Sequence, residues 1–253
     1  MKPAFHPAVI QQLRQEMGAG RRHGTLSLAP AVDACLGGGG LALGALHEME
    51  PGEGTEAQMA AGSTWLAARL VARMGGGRPA LWVARECDLY APGLLGCGLD
   101  PARLVLARAR DDTAVLAAME AALRSGAFAA VVGEAGRLPR LAGQRLQLAC
   151  LRHGTTGLLL RRWPQGRPVP RPGWAPEEAP AAMTRWRIGP APSDTSSAGP
   201  FAPPRWRLEL RHARGGLPGE WVVEAGDGDA ADPVRVVAEL ADPAAAAQRR
   251  RHG

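Results

Sequence analysis

Val32-Asp33-Ala34-Cys35-Leu36-Gly37-Gly38-Gly39-Gly40-Leu41-Ala42-Leu43-Gly44-Ala45-Leu46-His47-Glu48-Met49-Glu50-Pro51-Gly52-Glu53-Gly54-Thr55 is the stretch on which the fold turns. Inside it, Ala45 to Met49 is a short apolar run that predicts a strand, and Glu50 to Thr55 is the loop leaving it. From about Glu56 to Met74 the chain predicts a helix, with Leu66, Leu70, Val71 and Met74 on one face. Strand, glycine-bearing loop and helix, in that order, are the parts of a parallel α/β unit.

Downstream the alternation repeats. Strands are predicted at Ala80–Ala84, Leu104–Ala107, Ala129–Gly133 and Gly157–Leu160. Helices are predicted at Tyr90–Gly96, Thr113–Ser125 and Leu138–Arg152. Such short apolar strands between amphipathic helices predict a mostly parallel sheet covered on both faces. After Arg162 the texture changes, because residues 163–204 hold eleven of the chain's 22 prolines and cannot form one regular element. Two Arg/Trp alternations, Thr184–Ile188 and Arg205–Leu210, read as strands, and Glu220–Glu224 as a hairpin partner across a Gly215–Gly219 turn. These would add antiparallel strands at the C-terminal end.

Upstream, Val9, Ile10, Leu13 and Met17 form the apolar stripe of a short helix. The predicted organisation is an N-terminal helix and linker over 1–25 and a core over 26–225. The core carries proline-rich loops at 163–183 and 189–204, and a disordered tail follows over 226–253. No apolar run approaches the ~18 residues of a membrane span, and no secretory leader is visible, so a cytoplasmic protein is expected. Cys35, Cys87, Cys97 and Cys150 form no C-x-x-C pair and suggest buried thiols in a reducing compartment, with no metal site or cofactor. The net charge is +6, and residues 161–214, with ten arginines against four acids, carry the same surplus. Lys2 is the only lysine.

The glycine-rich lead Val32–Glu48 resembles the entry to the first core strand of RecA/RadA recombinases. The resemblance continues through Gly98-Leu99-Asp100-Pro101, Leu123-Arg124-Ser125-Gly126, Leu141-Ala142-Gly143 and Arg185-Trp186-Arg187-Ile188. More narrowly, the chain resembles the ImuA family of RecA-like mutasome proteins over about residues 30 to 225. The stretches that carry this are Asp88–Leu94, Arg145-Leu146-Gln147-Leu148-Ala149, Pro204–Leu210 and Arg214–Trp221. The resemblance implies a RecA-like, P-loop-type core.

A working P-loop needs a lysine on the β/γ-phosphates and a Ser/Thr hydroxyl on Mg²⁺. The corresponding loop here reads Gly52, Glu53, Gly54, Thr55, Glu56, Ala57, Gln58, with Glu56 or Gln58 in the lysine's place. Each nearby carboxylate would repel a triphosphate by about 0.5–4 kcal/mol. Glu134 stands one place off the expected acidic strand end. Glu86 lies where the family keeps a water-activating glutamate, but with its phosphate partner missing the reading as an ordinary strand-end carboxylate is favoured. The expectation is therefore a degenerate nucleotide loop and no ATPase activity.

Arg161, Arg162, Arg167 and Arg171, with Trp163 and Trp174, have the chemistry to hold phosphate and stack on bases, and the family keeps a DNA-contacting loop here. Solvated arginines beside buried tryptophans are the alternative, favoured for Trp186 and Trp206. The resemblance implies a non-catalytic accessory role in SOS-induced translesion synthesis and mutagenesis. The implied partners are an ImuB polymerase-like protein, RecA and an error-prone DnaE-type polymerase, with weak, sequence-independent single-stranded DNA binding as an addition. The N-terminal stripe is the expected partner-binding face. An alternative is an SOS cell-division inhibitor of SulA type that binds FtsZ.

Overall fold

The computed structural model describes residues 23–52, 56–162, 181–194, 196, 202–225 and 233–241. A small antiparallel pair, β1 (Thr25–Leu26) and β2 (Leu41–Ala42), flanks the one-turn helix α1 (Pro30–Asp33). The body then runs β3 (Leu46–Pro51), α2 (Glu56–Arg73), β4 (Ala80–Ala84), α3 (Ala91–Gly96), β5 (Leu104–Arg108) and α4 (Asp112–Ser125). It continues with β6 (Ala130–Ala135), α5 (Arg140–His153), β7 (Thr156–Arg161), β8 (Thr184–Ala191), β9 (Arg205–Ala213), β10 (Gly219–Ala225) and β11 (Val234–Ala241).

Nine strands form one mixed sheet in the order β11-β10-β9-β8-β3-β7-β6-β4-β5. Every pairing from β5 to β8 is parallel, and those among β8, β9, β10 and β11 are antiparallel. β3 therefore lies inside the sheet, between β7 and β8.

Side chains alternating across the strands feed two cores. Trp82, Val132, Leu158, Leu160, Met49 and Trp186 pack with Leu66, Leu70 and Val71 of α2. Leu81, Val83, Val131 and Leu159 pack with Val115, Met119 and Leu123 of α4 and Leu146 and Cys150 of α5. α4 begins on a side-chain cap, with Asp111 accepting from Ala114 N at 2.8 Å. It ends on Gly126 at φ 65°, the left-handed position that glycine takes without penalty. At Gly133 a Cβ would lie 2.1 Å from Met119 Sδ, so only glycine lets α4 sit this close to β6.

Three departures from the sequence reading stand out. β5 is an edge strand, with Val105 44% and Leu106 50% exposed, not a strand covered on both faces. β8 runs on through Pro190 to Ala191. β3 stops opposite Ile188, which leaves Pro190 with one neighbour and tolerates its missing N–H. Within the expected tail, Val234–Ala241 forms β11 along β10. Arg69 of α2 holds its start by donating Nε–H to Pro233 O, and Val234 and Val236 join the core. No helix among the described residues is long and apolar enough to cross a membrane.

Candidate functional site

In an open parallel sheet, ligands bind outside the carboxyl ends of the strands, and here those ends hold a dense set of charges. β3 delivers Glu48 and Glu50 and then Gly52, whose N–H donates to Ile188 O at 2.7 Å. A Cβ at Gly52 would meet Gly189 Cα at 2.8 Å, so the loop leaves β3 pressed against the β8 backbone. Glu53, Gly54 and Thr55 lie outside the described residues. Glu56 and Gln58 lie in the first turn of α2. The glycine run before β3 has a packing role. A Cβ on Gly37 would lie 2.5 Å from Gly215 O, and one on Gly216 2.2 Å from Cys35 O, so the two glycine turns seat on each other.

Arg162, just past β7, crosses the strand ends. Its Nη1 donates to Glu134 Oε2 of β6 at 2.6 Å and to Asp88 Oδ1, beyond β4, at 2.8 Å. Its Nη2 pairs with Asp88 Oδ2. Glu134 is buried inside β6, and its Oε1 accepts the Trp82 indole N–H at 2.8 Å. Burial pushes the Glu134 carboxyl up, opposed chiefly by Arg162 and then by the Trp82 N–H. The hydrogen bond from Arg162 holds Asp88 below the usual carboxylate range. The bond to Asp88, reinforced by Glu134, holds the Arg162 guanidinium above its ordinary value.

A second cluster lies on the opposite face. Arg161 donates Nη1–H to Glu48 Oε1 at 2.7 Å and Nε–H to Gly136 O at 3.1 Å. Arg185 of β8, directly opposite Glu48 of β3, donates Nε–H to Glu48 Oε2 at 3.0 Å. Glu50 lies 3.4 Å from Arg185 and 3.7 Å from Arg211, and burial raises its carboxyl. Asp112 Oδ2 accepts from Gly136 N at 2.9 Å and Arg137 N at 3.2 Å, tying α4 to the loop after β6.

The residues singled out from sequence thus separate. Arg161 and Arg162, read there as phosphate-binding, are engaged with buried carboxylates, because Glu48 and Glu134 need partners away from water. Trp163, Arg167, Arg171 and Trp174 lie outside the described residues, as do Val9, Ile10, Leu13 and Met17. Glu86 is exposed and makes no ion pair among the described residues. Trp186 is buried, while Trp206 is partly buried and packs on Trp65 at 5.9 Å between centroids. Cys35 and Cys150 are buried, but Cys87 is exposed. The sequence reading did not assign Trp82, Asp88, Glu48 or Arg185 to a site. The available signal was an acid within an apolar strand, Val131-Val132-Gly133-Glu134, which requires a cation and an N–H nearby.

A scan of protein-family models gives no match. Two curated relatives, each named Protein ImuA and each from a strain of Caulobacter vibrioides, are 44% identical over 255 residues. Those alignments cover 94% of this chain and all of the relative. Among solved structures, SulA from Pseudomonas aeruginosa matches at 24% identity and a TM-score of 0.41, over 47% of this chain and 98% of that one.

Proposed function

The chain belongs to the ImuA family, and on that footing we propose that it is a non-catalytic adaptor with a RecA-like core, serving SOS-induced translesion synthesis. In this reading it works in the cytoplasm with an ImuB polymerase-like protein, RecA and an error-prone DnaE-type polymerase. What supports a RecA-like core is the placing of β3. The strand that leads toward the 52–58 segment lies inside the parallel part of the sheet, with α2 packed on one face.

The observation that carries the non-catalytic part is the Arg162 bridge. The crevice where such a sheet would take a nucleotide is spanned by an arginine already neutralised by Glu134 and Asp88. The chain's only lysine is Lys2, so the 52–58 loop offers no cation for the β/γ-phosphates. A protein built this way acts through its surfaces. Affinity purification of the tagged full chain from DNA-damaged cells tests the reading. Recovery of the ImuB-like protein with RecA or the DnaE-type polymerase is expected, whereas recovery of the division GTPase FtsZ in their place would sink it.

A further inference from the structure

We propose that the outward face of α5 is a docking seam for an acidic amphipathic helix of a partner protein. The inner face of α5 buries Leu146, Gln147, Ala149 and Cys150. Its outer face leaves Leu141 74% and Leu148 51% exposed, one heptad apart. Gln144 and Leu151 complete a 3-4-3 spacing with them, the a and d positions of a helix-pairing seam. Two sequence motifs noted above, Leu141–Gly143 and Arg145–Ala149, contribute their exposed members, Leu141, Arg145 and Leu148, to this one stripe. On the adjoining α4 the exposed side chains include Ala117 and Ala121, small enough for a third helix to lie alongside.

Charge selects the occupant. Arg140, Arg145 and Arg152 occupy the flanking g and e positions, where paired helices exchange salt bridges. Arg140 and Arg152 make no ion pair among the described residues. Arg145 shares Glu120 with Arg124, so four arginines face one glutamate. A helix with leucines on one side and carboxylates along its flanks meets both demands. The chain's own N-terminal segment is a rival occupant, because it leads into His23, whose Nε2 lies 3.3 Å from Leu151 O. That segment carries Lys2, Arg14, Arg21 and Arg22 against Glu16, the wrong sign for this seam.

The test uses the full chain and two labelled three-heptad model peptides with leucine at a and d. One peptide carries glutamate at e and g and the other lysine, and binding is followed by fluorescence anisotropy at low salt. The glutamate peptide should bind and the lysine peptide should not. Leu148→Ser should weaken binding about tenfold to a hundredfold, the worth of burying one leucine, with an unchanged melting midpoint. The pair Arg140→Glu and Arg152→Glu should shift preference to the lysine peptide. Equal binding of the two peptides, no binding of either, or an indifferent Leu148→Ser would overturn the proposal. So would a tenfold gain in peptide affinity on Leu13→Asp, because the chain's own segment would then be the occupant. None of these outcomes depends on which cellular proteins co-purify.

Discussion

Arg162 donates to Glu134 at 2.6 Å across the carboxyl ends of β7 and β6, and the two side chains differ sharply in depth. Glu134 is 4% exposed and Arg162 25%. The carboxylate depends on the arginine more than the arginine depends on it, since Asp88 offers Arg162 a second partner. Removing the cation strands a buried anion, an event that typically costs 3–5 kcal/mol. Access of water to the Arg162 side reduces this. Arg162→Ala is expected to lower unfolding stability by about 2–3 kcal/mol. Glu134→Gln, which keeps an acceptor for the Trp82 N–H, is expected to cost about 1 kcal/mol. Urea unfolding at neutral pH measures both. A loss under about 0.5 kcal/mol for Arg162→Ala would place the pair among surface bridges.

His47 gives the fold a pH dependence of definite sign. Its ring is fully buried, with Nδ1 2.7 Å from Thr184 Oγ1 and Nε2 2.8 Å from Ala42 O. Burial lowers its pKa from 6.5 to about 4. Below pH 6.5 the unfolded chain takes up a proton that the folded one refuses, so stability falls as pH drops from about 6.5 toward 4. The loss approaches about 3 kcal/mol at the lower end. Glu50 and Glu134, with raised folded values, act in the opposite direction. The comparison that isolates His47 is therefore wild type against His47→Asn at pH 7 and 4.5, where the variant should lose most of the acid-side slope. An unchanged slope would assign it to other groups.

Single-stranded DNA binding, if carried by the proline-rich loop, is expected to rest on Arg167 and Arg171. Arg161 and Arg162 are already engaged with carboxylates. Two phosphate contacts give a log–log salt slope of about −1.4. The Arg167→Ala and Arg171→Ala pair should abolish retention in a low-salt mobility assay. A slope near −3 would return Arg161 and Arg162 to the DNA site.

The N-terminal stripe carries a separate expectation. Leu13→Asp should weaken association with RecA or another subunit at least about tenfold, the worth of one buried leucine, while the melting midpoint stays fixed. Surface-plasmon titration against purified RecA and the ImuB-like protein reads this, and wild-type binding to both would remove the stripe from the partner surface.

Much of the fold was legible because β3, β4, β6 and β7 are short apolar runs bounded by turns and separated by amphipathic helices. Two features were not. Period-two reasoning does not distinguish an edge strand from a central one, so the exposure of β5 was hidden. β11 exists through pairing with β10 and the grip of Arg69 on Pro233, neither of which is local. The candidate site was half legible. The absence of a lysine from the 52–58 segment is written in consecutive residues. The Arg161 and Arg162 pair, however, reads as a basic patch until partners 113, 74 and 28 residues away are brought to it.

On the proposed reading the crevice beyond the carboxyl ends of β3, β6 and β7 does no nucleotide chemistry, and ATP turnover by the purified full chain with Mg²⁺ is the direct test. Wild type and Glu86→Gln are expected to release phosphate at the same rate as buffer, with and without single-stranded DNA. Turnover above buffer that disappears in Glu86→Gln would contradict the account and make the protein an ATPase.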